Sequence, residues 1–262
     1  MPDTLQVDAL QVGRSRSGVA YDSERIGSAG VSVGRIDVLL QAIGAGLPAA
    51  LAIALSPFPV IGVVLLLAGA HGRVNGPVFA AGWIVGLSVV TALVVVVFGA
   101  ADDPDSTSSA IADWGRIIAG VALMVMGVRT WLGRPRPGEV SVTPPWMASL
   151  DSATAVRALV LGVLLSGANP KNFVLTAAGA ASIVEAGVHG TDLVVAVVVF
   201  VFVGSCTVVG AVALRLVGGQ RGESLLEAVR EFMVANSAVI TAVVLLILGA
   251  KVVGDGLIGL GR

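Results

Sequence analysis

The sequence predicts an all-α, polytopic membrane protein of six transmembrane helices, arranged as two inverted three-helix repeats with the first helix of each repeat broken at proline. Three observations predict it. The 262-residue chain is 56% hydrophobic and only 13% charged, whereas a soluble domain carries about 25% charged residues. Apolar stretches of roughly 20 residues, the length that crosses ~30 Å of hydrocarbon as a helix, recur along most of the chain. Two of these stretches are overlong, and each contains a polar, proline-bearing interruption: "SPFP" at 56–59 and "NPKN" at 169–172.

Residues 1–35 mix charges with Ser and Gly and contain no apolar run of the kind found in a signal peptide, so they read as a disordered tail ahead of an uncleaved first anchor. The first repeat is 36–132. Ile36 to Ala70 is nearly continuous apolar sequence, enough for ~52 Å of helix, which exceeds one crossing. Pro57 and Pro59 supply the break, because each removes an amide donor and its ring clashes with the preceding turn. The loop "HGRVNG" (71–76) leads to a second span at about Pro77–Gly99. An acidic, turn-rich loop follows, then a third span at about Trp114–Leu132, with Arg116 and Arg129 placed to snorkel toward the two interfaces.

Residues 133–153 carry four prolines, two glycines and two arginines, the composition of an extramembrane linker. The second repeat is 154–262. Its first segment, Thr154 to Val184, again overshoots one crossing at ~46 Å of helix, and Asn169-Pro170 interrupts it. Leu193–Leu214 is the fifth span. Residues 223–233 alternate Leu225, Leu226, Val229, Phe232 and Met233 with charged positions at helical spacing, which reads as a separate interfacial helix. The sixth span is about Val234–Val253.

An odd number of crossings per half forces the halves into opposite orientation, the plan of many transporters. The loops after the first, third and fifth spans hold eight Lys and Arg residues against three in the others, which predicts that they are cytoplasmic and that both termini face outward. The four arginines of residues 1–35 oppose that orientation.

A formal charge of −1 without a basic cluster argues against nucleic acid and against a polybasic lipid anchor. Cys206 is the single cysteine, so no internal disulfide or paired redox site can form. His71 and His189 both precede glycine near loops and make a poor metal site. No cofactor is expected. An enzyme is not expected either, since no nucleophile and base pair up within the spans and no Gly-x-Ser-x-Gly motif occurs. No nucleotide-binding Gly-x-x-x-x-Gly-Lys motif is present, which leaves an ion gradient or a partner as the energy source.

Lys171 is the residue that most needs a reason. An ammonium near the middle of a membrane helix costs about 2.5–3.5 kcal/mol, and Asp37, Glu185, Asp192 and Asp255 all lie near span ends. Asn169 and Asn172 flank it, and side-chain amides can serve backbone groups that Pro170 frees. The helices that start after Pro59 and Pro170 would each aim a positive end at its break. If the halves pack face to face, Ser56, Pro57, Pro59, Asn169, Pro170, Lys171 and Asn172 converge on a substrate or ion-coupling site suited to an anionic group. The competing reading is a kink stabilised by its own polar side chains, with Lys171 snorkelling to an interface. Ser166, Thr176, Ser205 and Thr207 are cavity-lining candidates that can equally bond their own backbone. Gly82 and Gly86 form a small-xxx-small pattern read as ordinary packing.

The stretch "ALSPFPVIGVVLLLAGAHGRVNGPVFAAGWIVGL" (54–87), with "SGANPKNFVLTAAGAASI" (166–183), resembles the mycobacterial glycolipid-addressing proteins, the sulfolipid or peptidoglycolipid addressing family of the lysine-exporter superfamily. The resemblance covers residues 38–255. It implies a multi-pass plasma-membrane protein that exports, or helps to export, an anionic cell-envelope glycolipid, with membrane lipids and an amphiphilic substrate as partners. It also implies a functional role for Pro57, Pro59, Asn169, Pro170, Lys171 and Asn172. Two alternatives stay open at this point: a small-solute exporter for an amino acid or ion, and a non-transporting scaffold in a lipid synthesis and export complex. The oligomeric state is not written in the sequence.

Overall fold

In hydrocarbon every backbone amide and carbonyl needs a partner within the chain, which leaves these long apolar runs helix as their spanning geometry. The computed structural model describes residues 16–99, 108–134, 150 and 153–261, which are helical with short connections and contain no strand. The helices are α1 (Arg16–Ala54), α2 (Pro57–Ala68), α3 (Gly72–Gly99), α4 (Ser108–Leu132), α5 (Ala155–Val163, extended by a π-helical turn at Leu164–Ala168), α6 (Pro170–Glu185), α7 (Gly190–Val217) and α8 (Gly219–Leu260). Five segments are long and apolar enough to cross a membrane: Gly34–Ala54, Gly72–Phe98, Asp113–Leu132, Gly190–Val217 and Gly219–Leu260. Counting α5 and α6 as one span, bent by 59° at Asn169, makes six.

Large apolar side chains lie exposed all around the bundle, among them Val85, Val89, Val96, Ile118, Phe202 and Ile247. A soluble protein rarely exposes so much contiguous apolar surface, and lipid is the solvent that suits it. The chain is therefore a multi-pass membrane protein.

Contacts fix the direction of each helix. Arg35 bonds Asp192, Thr207 bonds the carbonyl of Ala54, and Arg215 bonds that of Leu67, so α1 and α2 run parallel to α7. Gly46 and Gly179, on α1 and α6, both pack against Phe200 of α7, and Gly46 also meets Ile183, so α6 runs against α1. Asn75 bonds the carbonyl of Ala153, and Gly82 and Gly86 pack on Leu159 and Val163, which makes α3 and α5 parallel. Gly120 and Gly127 of α4 meet Gly249 and Ala242 of α8, an antiparallel pair that is the most extensive contact in the protein. The starts of α4 and α7 and the ends of α6 and α8 thus share one end of the bundle with Gly34, here called the near end. The α2–α3 and α7–α8 connections lie at the far end.

Glycine explains the closest approach. A Cβ on Gly162 would strike the backbone of Phe79 and Trp83, and one on Gly82 would strike the backbone of Leu159. Helices that lack a hydrophobic drive between them associate through such close packing. The core built around it holds Ile53, Ile61, Phe79, Trp83, Leu87 and Leu175, each 1% exposed or less.

Two expectations are corrected. Residues 16–35 of the segment read as a disordered tail are helical, because extending an existing helix adds one hydrogen bond per residue without a new nucleation cost; residues 1–15 lie outside the described residues. Residues 223–233 are not a separate interfacial helix. They are the opening turns of α8, which continues unbroken because no proline or glycine lies between Ser224 and Ile247 to stop it. The linker expected at 133–153 falls mostly outside the described residues.

Candidate functional site

The chain leaves helical geometry at Leu55 and Ser56 and again at Asn169. At the first point Pro57 and Pro59 occupy two of the first three positions of α2. Neither carries an N–H, so a helix that starts among apolar neighbours has fewer orphan donors to satisfy. Ser56 sits at the cap position in extended geometry but makes no capping bond. Its hydroxyl is free for another partner.

At the second point the π-helical turn closes with the amide of Asn169 donating to Leu164 O at 3.1 Å. The Asn169 side chain then accepts from the amide of Lys171 at 3.1 Å and caps α6. Asn172 turns back and donates from Nδ2 to Leu165 O at 2.8 Å. The freed carbonyl at the end of α1 is served from a different helix, by Thr207 Oγ1 donating to Ala54 O at 2.7 Å. Buried carbonyls left open by a break cost free energy unless paired, and each break recruits a side chain for the purpose.

The two breaks meet. Lys171 Nζ donates to Ser56 Oγ at 3.4 Å, 115 residues apart in sequence. Lys171 is 6% exposed, and Ser56 and Asn172 are fully buried. The side chain therefore does not snorkel; its amine stays inside the bundle. Among the described residues no carboxylate forms an ion pair with it. On the helices that adjoin the breaks, Asn172 Oδ1 and Thr176 Oγ1 of α6 and Ser205 Oγ of α7 are buried without a hydrogen-bond partner. An ammonium has three N–H donors, and the first turns of α2 and α6 both present their positive ends here. The result is a buried, electropositive polar layer at the two breaks, with unpaired polar atoms on the helices that form it.

The remaining candidates divide by role. Pro57 and Pro59 are buried and shape the start of α2, while Pro170 is exposed and acts only through the backbone it breaks. Ser166 bonds back to Gly162 O at 3.0 Å and Val163 O at 3.1 Å, so it serves its own helix.

Sequence reasoning missed a second polar assembly. Arg116, read as a snorkelling residue, instead pairs with Asp113 on α4 and with Glu185 at the end of α6. Lys251 pairs with Asp255 at 2.6 Å on α8. The i,i+3 spacing of Asp113 and Arg116 and the i,i+4 spacing of Lys251 and Asp255 were the available signals. Asn75, buried and bonded to Ala153 O at 2.8 Å, was also passed over.

No curated protein and no solved structure matches the chain. Residues 47–258, which include both breaks, the α4–α8 pair and every residue of the polar layer, match the family model described as Sap, sulfolipid-1-addressing protein, and the chain belongs to that family.

Proposed function

We propose that the protein is a carrier, or the membrane-spanning part of an export device, for an anionic cell-envelope glycolipid in the plasma membrane, and that the Lys171 layer is where an anionic group is recognised. The observation that carries this reading is the uncompensated amine: a buried ammonium that bonds Ser56 at the starts of two helices and, among the described residues, has no carboxylate partner. A purely structural lysine would be expected to bring its counter-charge along.

The reading extends to architecture. We take 36–132 and 154–262 as inverted repeats, each opening with a broken helix. Support comes from α1–α2 and α5–α6 running in opposite directions and from their breaks meeting at Ser56 and Lys171. The far end carries Arg73, Arg134, Arg157, Arg215 and Arg221 and is read as cytoplasmic by the positive-inside rule. No step of this function makes or breaks a covalent bond, so the protein is read as a carrier and not an enzyme.

One competing reading has an observation behind it. Only 17% of the most apolar window of α4 is buried inside the protein, which would suit a scaffold that docks a synthesis or export partner. Export of envelope lipids by a deletion strain separates the two. Wild type is expected to restore export, and Lys171→Met to fail while reaching the membrane in equal amount. Full restoration by Lys171→Met would overturn the carrier reading and favour the scaffold.

A further inference from the structure

The near end gathers charged side chains from three helices: Asp113 and Arg116 of α4, Glu185 of α6, and Lys251 and Asp255 of α8. Three carboxylates share two bases, so the assembly carries one negative charge in excess. Arg116, Glu185, Lys251 and Asp255 border a cleft of about 340 Å³ that α1, α4, α6 and α8 leave open at this end. Protons from the adjoining solution reach them there.

The pairs differ in what they join. Asp113–Arg116 lies within α4 at i,i+3, and Gly256 and Gly259 of α8 close over Asp113, which is 6% exposed. That pair therefore belongs to the α4–α8 unit and moves with it. Lys251–Asp255 lies within α8 at i,i+4. Among the described residues, Arg116–Glu185 is the one ion pair that ties α4 or α8 to α1 or α6. The Glu185 side chain is 38% exposed.

Beneath this tie the packing is incomplete. A crevice of about 10 Å³ runs between Ala45, Ala49, Ala178 and Gly179 on one side and Leu123 and Leu248 on the other. Walls that do not fill the space between them forfeit part of their dispersion contact. The ion pair is thus a latch across an imperfect seam.

Glu185 holds the latch only while it is ionised, so the pair is present at high pH and lost as pH falls. Its loss strands no cation, because Arg116 keeps Asp113. The same proton cancels the excess charge of the assembly. The surrounding groups are Asp113 and Arg116 from α4, Lys251 and Asp255 from α8, and the neutral Gln41 from α1, with Asp37 one turn further along that helix. His189 and Asp192 follow in the chain, and Asp192 is held by Arg35. Asp113 and Asp255 act on Glu185 as like charges.

We propose that Arg116–Glu185 is an acid-labile latch: a proton taken up by Glu185 from the near-end solution releases the α4–α8 unit from α1 and α6 and widens the cleft. The proposal does not rest on the carrier reading. The test uses the full chain in nanodiscs, in a Cys206→Ser background, with nitroxide labels at Leu40→Cys on α1 and Gly115→Cys on α4. Leu40 is 60% exposed, and Gly115 meets nothing within 4 Å. A second pair, Leu40→Cys and Val194→Cys, reports on α1 and α7. Distances are measured by double electron–electron resonance at about pH 8 and about pH 5, which bracket carboxylates displaced from their ordinary range.

In wild type the longer α1–α4 population is expected to rise about 2- to 5-fold on acidification, the range one partly exposed ion pair can supply, with the α1–α7 distance fixed. Glu185→Gln is expected to show the longer population at both pH values. An α1–α4 distance indifferent to pH in wild type, or an acid response that persists in Glu185→Gln, overturns the proposal. So does an equal change in the α1–α7 pair, which would mean general loosening. Lys171→Met is expected to keep the response; its loss there would place the proton at Lys171 and overturn the latch.

Discussion

Replacing Lys171 by Met is expected to make the protein more stable while it stops working. The two side chains are similar in length and both are unbranched, so packing around the stem is kept. What changes is the ammonium, 6% exposed, without a carboxylate partner and held by one hydrogen bond of 3.4 Å to Ser56. Removing an embedded ammonium relieves about 2.5–3.5 kcal/mol. Losing the bond to Ser56 returns about 0.5–1.5 kcal/mol of that. The balance is a gain of about 1–3 kcal/mol, or roughly a 5- to 150-fold shift in the unfolding equilibrium. Reversible unfolding in bicelles by increasing sodium dodecyl sulfate measures it directly. A variant less stable than wild type by more than about 1 kcal/mol would refute the reasoning, because Lys171 would then be a structural staple whose contacts outweigh its desolvation.

Asn172→Leu should leave Leu165 O unpaired beside the π-helical turn and lower stability by about 1–3 kcal/mol in the same assay; no change would mean the carbonyl finds another donor. Gly162→Ala forces a Cβ onto the backbone of Phe79 and Trp83 and is expected to destabilise by about 1–3 kcal/mol. Gly115→Ala, which meets nothing within 4 Å, should instead stabilise by about 0.5–1 kcal/mol through helix propensity. The same sign for both glycines would contradict the packing assigned to α3 and α5. In a Cys206→Ser background, Arg73→Cys and Arg221→Cys should react with an impermeant maleimide only from the cytoplasmic side, and His189→Cys only from the outside. The reverse pattern would invert the topology proposed from the arginine bias.

The spans were legible because lipid imposes a simple rule on sequence: about 20 apolar residues per crossing, with every polar interruption needing a cause. The same rule singled out Lys171, since an amine at that depth has few innocent explanations. The extension of α1 back to Arg16 and the merging of 223–233 into α8 were not legible. Both concern where a helix fails to stop, and with no strong terminator present the decision falls to hydrogen-bond propagation and tertiary packing, which periodicity does not report. At the site, the chemistry could be named but the partners could not. Nothing local to "ALSPFP" says that Ser56 faces an amine 115 residues away, or that Thr207 on α7 serves the end of α1. The near-end assembly was missed because Arg116 and Glu185 belong to helices whose neighbourhood only the fold creates.

The placement of the two cavities bears on how a closed layer at mid-depth could ever be reached. At the near end an open cleft of about 340 Å³, lined by Gln41, Arg116, Ser182 and Glu185 among others, borders α8 at Lys251, Asp255, Ile258 and Gly259. A far-end cavity of about 260 Å³, lined by Val64, Leu67, Arg215, Glu223 and Glu227, borders the same helix at its start. Helix α8 packs along α4 through facing glycines and spans both ends, so the pair is a stiff lever with a cavity under each tip. Among the described residues, a single ion pair ties it to the other helices at each end: Arg116–Glu185 near and Arg215–Glu223 far. Partly exposed pairs of this kind hold about 0–1 kcal/mol each, whereas the hydrogen bonds at the two breaks are part-buried or, for Lys171–Ser56, buried, and leave polar groups unpaired when opened. On the carrier reading proposed above, exchanging these two pairs would therefore cost less than unwinding the broken helices themselves.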